Sequence, residues 1–87
     1  MTFTILLHPK AAKALKKTDE QTRITTKLRE LRNRPERTGK RLKHSDFWSL
    51  RSGDYRAIYE INRDKKQVII LYIGHRKKVY DDFSKIL

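Results

Sequence analysis

Val68-Ile69-Ile70-Leu71-Tyr72-Ile73 runs without a single polar residue in alternation. A strand with one wet face alternates apolar and polar side chains, so an unbroken run of β-branched and aromatic residues marks a strand covered on both faces, as in the centre of a sheet. The run is also the longest apolar stretch of the chain, and a bilayer needs about 20 such residues. In a chain of 87 residues, which allows one small domain over residues 1–87, every other element must be arranged around that strand.

Upstream, Thr2 to Leu7 reads as a strand, with no basic segment before it that would make it a signal peptide. His8 precedes a helix and caps it, and Pro9 suits the first helical turn, where its missing N–H costs nothing. The helix runs over Lys10 to Lys17. Thr18-Asp19-Glu20-Gln21 has the form of a capping box for a second helix. Ile24, Leu28 and Leu31 recur at i, i+4, i+7 and give that helix one apolar stripe. Arg32 and Arg34 suit its negative end, and Pro35 stops it. The two helices form a basic hairpin.

Glu36 to His44 reads as a polar, basic loop or ragged strand. Phe47 to Arg51 and Tyr55 to Asn62 are hairpin strands joined at Ser52-Gly53-Asp54. Arg63 to Lys66 is the next loop, Gln67 to Ile73 the central strand, and Gly74-His75-Arg76 its break. Val79 to Ile86 is a short helix with Val79, Phe83 and Ile86 on one side. The order β-α-α-β-β-β-α, with helices and strands segregated, is α+β: a small, mostly antiparallel sheet with the αα-hairpin on one face and the other face left as a working surface.

Charge then narrows the partners. Lys plus Arg total 22 and Asp plus Glu total 10, so 22 − 10 leaves a net +12. Such self-repulsion fits a polyanionic or acidic partner. There is no cysteine, so disulfide frameworks, thiolate metal sites and cysteine nucleophiles are excluded. No His/Asp/Glu cluster has metal-ligand spacing and no glycine-rich phosphate loop is present, so neither a metal nor a cofactor is expected. The expected setting is cytoplasmic.

Strand parity sorts the basic residues, because alternate positions share a face. Trp48 and Leu50 fall on one side, as do Tyr55, Ala57, Tyr59 and Ile61, and these apolar sets face the helices. Arg51 and Arg56 then share the open face. Arg76 and Tyr80 follow the central strand and can fold over its end. Three permanent cations and one aromatic ring suit a phosphodiester and its adjoining base, through bidentate guanidinium contacts and stacking. Glu60, Asp46 and Asp54 are the acids that can instead pair with these arginines. His75 has an imidazole suited to proton transfer.

Leu50-Arg51-Ser52-Gly53-Asp54-Tyr55-Arg56-Ala57-Ile58-Tyr59, followed by Gly74-His75-Arg76-Lys77-Lys78-Val79-Tyr80, resembles the RelE/ParE toxin superfamily of type II toxin–antitoxin modules over essentially the whole chain. The resemblance implies a sheet cupped under a helical hairpin and an acidic, RelB-like antitoxin that wraps the basic surface. In the RelE-like branch it implies a ribosome-dependent, metal-independent endoribonuclease that cleaves mRNA in the A site by attack of the 2′-hydroxyl. By motif, Arg56 matches the arginine that stabilises the phosphate transition state, Arg76 the arginine near the leaving oxygen, and Tyr80 the tyrosine that stacks on the substrate base. Arg51 matches a basic strand position. Lys40, Arg41, Lys43 and His75 are the expected substrate-binding residues around these. Where the best-studied RelE branch carries strand lysines, this chain has Phe47 and Ser49. The ParE-like branch, which inhibits DNA gyrase without an RNase centre, is the alternative, with a degenerate RNA- or antitoxin-binding member behind it.

Overall fold

The computed structural model describes residues 2–84. Strand β1 (Thr4–Leu7) leads into helices α1 (Pro9–Lys17) and α2 (Gln21–Glu30), a single turn α3 (Pro35–Thr38), strands β2 (Lys40–Arg41), β3 (Trp48–Ser52), β4 (Tyr55–Asn62) and β5 (Gln67–His75), and helix α4 (Val79–Ser84). The strands form one sheet in the order β1-β5-β4-β3-β2. Only β1 runs parallel to its neighbour, β5, and the other pairs are antiparallel. This is the α+β architecture expected from the sequence, and β5 is an interior strand.

The helical hairpin covers one sheet face. Ala11, Ile24, Leu28 and Leu31 pack on Leu50, Ala57, Tyr59, Val68, Ile70 and Ile73, with Trp48, Tyr55 and Ile61 at the margin. Every inward position assigned by parity in β3 and β4 lies in this core. Trp48 stacks on Tyr59 with ring centroids 6.4 Å apart. Tyr59 is fully buried and its hydroxyl donates to the Pro35 carbonyl at 2.7 Å. Gly39 is required beside it, since a Cβ there would lie 2.1 Å from that hydroxyl oxygen and 2.7 Å from the Ser49 carbonyl oxygen.

The opposite face is not wholly open. Val79 and Phe83 of α4 close over Ile58, joined by Leu42, Phe47, Leu71 and Tyr72, in a second, smaller core. Phe47 meets Phe83 edge-on at 5.2 Å between centroids. A bulge in the β4–β5 pairing makes this possible. Ile58 opposes Tyr72 while Tyr59 opposes Ile70, so Leu71 is the extra residue. Ile70 and Ile73 thereby serve the first core while Leu71 and Tyr72 both serve the second.

Local differences from the sequence reading have local causes. The expected capping box is absent: the Thr18 hydroxyl donates back to the Leu15 carbonyl at the end of α1, and Glu20 is the N-cap of α2 without a side-chain bond to the helix amides, its carboxylate accepting from Arg23 instead. Pro35 does not merely end a helix; it opens α3 at the N1 position. The segment after it yields the two-residue β2 on the edge of β3. β1 begins at Thr4, β3 is Trp48–Ser52, and β5 continues through Gly74 to His75. Ile86 lies outside the described residues. His8 caps α1 as expected, its Nδ1 accepting from the Lys10 amide at 3.2 Å.

Candidate functional site

β3 and β4 meet at a two-residue turn, Gly53-Asp54, with Gly53 at φ 60°. A glycine at the first central position lets a tight hairpin follow the strand twist. The tight turn fixes the register, which sets Arg51 directly opposite Arg56 and Ser49 opposite Ile58. Both arginines therefore lie on the face away from the helical hairpin, beside the small core under α4.

Ser49 is the hub of the arrangement. It is 3% exposed. Its Oγ accepts from Arg56 Nη1 at 3.5 Å and from the Tyr80 hydroxyl at 3.3 Å. The Arg56 guanidinium carbon stands 6.0 Å from the centre of the Tyr80 ring, within the range of a cation–π contact. Tyr80 is 41% exposed, so one edge of this unit is open to a ligand. Val79 and Phe83 anchor the helix that carries Tyr80. Tyr72, beside that helix, has its phenol pushed up by burial and by Asp82.

Arg51 is alongside but tethered, its Nε donating to the Gly53 carbonyl at 3.2 Å. Arg76 is held at the same turn. Its amide donates to the Asp54 carbonyl at 2.8 Å, and its Nε is 3.8 Å from the Asp54 carboxylate. The register of β2 separates the neighbouring basic residues. Lys40 opposes Ser49 and shares its face, and it lines one cleft of about 280 Å³ with Ser49, Arg51 and Arg56. Arg41 opposes Trp48 on the other face, where its Nε donates to the Ser45 carbonyl at 2.9 Å and Nη2 lies 3.6 Å from Asp46. His75 opposes Tyr55 and packs edge-on to it at 5.9 Å, on the hairpin side of the sheet, with Nδ1 accepting from the Lys77 amide at 3.3 Å. Lys43 is exposed in the loop between β2 and β3.

The structure thus brings Arg56 and Tyr80 into contact and sets Arg51 and Lys40 beside them. It places Arg76 at the turn, and Arg41 and His75 on the other face. Ser49 was visible in the sequence only as a departure from a lysine pattern; nothing about a serine in a strand signals that it will join two other residues. Phe47 and Ser49 are both committed to packing or hydrogen bonding here, so neither position supplies a cation. Chemically, the cluster offers a guanidinium with no carboxylate partner among the described residues, a phenol, a buried hydroxyl and flanking cations: donors for an anion, and a ring for a base.

The ParE toxin of type II toxin–antitoxin system family matches residues 5–80. Among solved structures, the toxin–antitoxin complex RelBE2 of Mycobacterium tuberculosis is 27% identical, with a TM-score of 0.74 over 87% of this chain and 100% of that one. The archaeal RelE–RelB complex of Pyrococcus horikoshii is 25% identical, with a TM-score of 0.73 over 91% of this chain and 100% of that one. A mutant of the E. coli toxin RelE in the free state shares the fold at 24% identity, with a TM-score of 0.79 and 100% of both chains covered. No curated protein sequence matches. Among the described residues no helix is long and apolar enough to cross a membrane, and no group of three or more acidic, histidine or cysteine side chains is placed to hold a metal ion.

Proposed function

The chain belongs to the ParE toxin family of type II toxin–antitoxin systems, within the RelE/ParE superfamily, and we propose that it is a ribosome-dependent mRNA endoribonuclease of the cytoplasm, neutralised by a RelB-like antitoxin. The observation that carries the reading is the Arg56–Ser49–Tyr80 unit. It is a guanidinium fixed by a hydrogen bond and a ring, on an exposed edge, with no acid to neutralise it among the described residues. Structural cations are usually paired, and a cation held in place without a carboxylate is suited to a ligand's negative charge.

In this reading the substrate 2′-oxygen attacks the adjacent phosphorus. The O2′–P bond forms, the P–O5′ bond breaks, and the products are a 2′,3′-cyclic phosphate and a 5′-hydroxyl. The 2′-hydroxyl proton passes to solvent or a ribosomal group, and solvent returns one to the 5′-oxygen. Arg56 supports the charge that grows on the phosphorane oxygens, where a preorganised donor matters most. Tyr80 stacks on the base next to the scissile bond. Arg51 adds positive potential. Arg76 takes part near the leaving oxygen only after exchanging its Asp54 partner for the substrate. The antitoxin partner is supported by the net +12 of the chain and by the RelE–RelB pairing in its structural relatives.

Gyrase inhibition is the second reading, favoured by the family match to ParE and by Phe47 and Ser49 standing in place of strand lysines. Brief induction followed by mapping of mRNA 5′ ends separates the two. Codon-phased cuts on translated messages are expected for the endoribonuclease. Intact messages with stalled or linearised DNA would transfer the function to the gyrase-directed reading.

A further inference from the structure

The cleft that contains Arg56 does not end at the sheet. β2 pairs with β3 only at Trp48 and Ser49, so it stops short of Leu50 and Arg51. Over that stretch the edge of the sheet faces the last turn of α2, and the cleft passes through the gap. Its walls include Lys27 and Glu30 of α2, Lys40 of β2, and Ser49, Arg51 and Arg56 of the sheet. It therefore joins the face that carries the Arg56–Tyr80 unit to the end of the helical hairpin. Four of those six side chains are cations and one is an acid.

We propose that this gap is a track for a single-stranded RNA backbone, in which Lys27 and Lys40 hold the phosphate next to the one held by Arg56. The inference rests on the phosphodiester reading of the Arg56 site and extends it to a second subsite. Charge and continuity select the occupant. The cleft is polar and cationic, and its lining includes the Arg56 guanidinium, which has no carboxylate partner among the described residues. Lys27 comes from α2 and Lys40 from the edge strand β2, and both line this one cleft. Glu30 is the counterweight: its carboxylate lies 3.6 Å from Lys27 Nζ. It occupies that ammonium when no phosphate is present and must yield it when one arrives. Glu30 therefore opposes binding, which gives the inference a consequence of opposite sign to loss of a lysine.

The test is fluorescence anisotropy of the full chain with a short, fully 2′-O-methylated RNA, which cannot be cleaved, over a range of salt concentrations. Lys27→Gln and Lys40→Gln should each weaken binding about fivefold near 0.1 M salt and flatten the log–log salt dependence, and the double variant should flatten it by about 0.7, the release expected for one single-strand phosphate contact. Glu30→Gln should tighten binding. Lys13→Gln removes the same charge from α1, which does not line the cleft, and should leave both quantities close to wild type. If Lys27→Gln and Lys40→Gln behave like Lys13→Gln, or if Glu30→Gln leaves binding unchanged, or if the wild type does not bind the RNA, the track is wrong, whether or not the protein cuts mRNA. If the lysine and glutamate effects appear but induced cells keep intact messages, the track stands and the endoribonuclease reading falls.

Discussion

The two faces of the sheet differ in what holds them together. On the α1–α2 face, ten buried side chains from two helices and three strands form one continuous core. On the α4 face the buried apolar side chains among the described residues are three, Ile58, Val79 and Phe83, with Leu42, Phe47, Leu71 and Tyr72 partly buried around them, and beside this small core lie Arg51, Arg56, Tyr80 and the buried Ser49. Three buried apolar side chains suffice to dock one short helix but not to carry a domain. The first face therefore holds the fold, and the second holds a single helix whose position decides where Tyr80 stands relative to Arg56. Stability and site geometry should then be separable by mutation.

The largest expected effect tests the first face. Ile70→Ala, at a fully buried position, should lower stability by about 2–5 kcal/mol in denaturant melts. Cleavage per folded molecule should remain at the wild-type level. A loss of cleavage without a loss of stability would show that the two faces are not separable.

Next comes Arg56→Ala. Ribosome-bound mRNA cleavage should fall by about 10²–10³-fold, the scale for removing one preorganised donor to a developing oxyanion. The melting temperature should hold. Wild-type cleavage by this variant would remove the endoribonuclease reading of the site.

Phe83→Ala probes the link between the small core and the site. Loosening α4 should withdraw Tyr80 from Arg56 and forfeit about 1–3 kcal/mol of base stacking, read as slower cleavage at saturating ribosomes. An unchanged rate would mean that α4 does not position Tyr80. The cost in melting should be smaller than that of Ile70→Ala.

A smaller effect is expected at the hub. Ser49→Ala and Tyr80→Phe each delete the hydrogen bond between these hydroxyls, worth about 0.5–1.5 kcal/mol. Because they share it, the double variant should be less impaired than the sum of the singles. Full additivity in cleavage would show that Ser49 and Tyr80 act independently.

The smallest effect is on the helical-hairpin face and depends on pH. Burial raises the Tyr59 phenol above its ordinary range. A raised folded value means that the unfolded chain gives up this proton first. The contribution of neutral Tyr59 is thus complete below about pH 10, the unfolded value, and is lost as pH rises toward the folded one. Tyr59→Phe should flatten the alkaline side of the stability profile and cost about 1 kcal/mol at neutral pH through the lost bond to Pro35. An unaltered alkaline limb would show that another group governs it.

Much of the first face was legible in the sequence. Trp48, Leu50, Ala57, Tyr59 and Ile61 follow strand parity, and Ile24, Leu28 and Leu31 follow helical spacing, because each pattern is set within its own element. The second face was less legible because its facts are relational. Val79 and Phe83 were visible as a helical stripe, but nothing in the stripe says which surface it covers. Lys40 and Arg41 are neighbours of like charge, and only the pairing of a two-residue strand with β3 sends one to the cleft and the other to Asp46. The capping box failed for a similar reason. Thr18 sits so close after α1 that the Leu15 carbonyl captures its hydroxyl before the α2 amides can.

The extra residue in β5 at Leu71 acts as a phase shifter between the two ends of the strand. Upstream of it, β5 is locked in step with β1 and the hairpin core. Downstream, Gly74 is in step with Arg56, and the chain leads on into α4. Deleting Leu71 itself would restore regular alternation, with Ile70 and Ile73 still toward the hairpin core and Tyr72 still toward α4, whereas deleting Ile73 would put the end of the strand out of step with β4 and turn α4 away from its side. Loss of Leu71 should accordingly be far better tolerated than loss of Ile73, so relatives with functional sites should differ in this strand by letter, or by this one residue, and not by other changes of spacing.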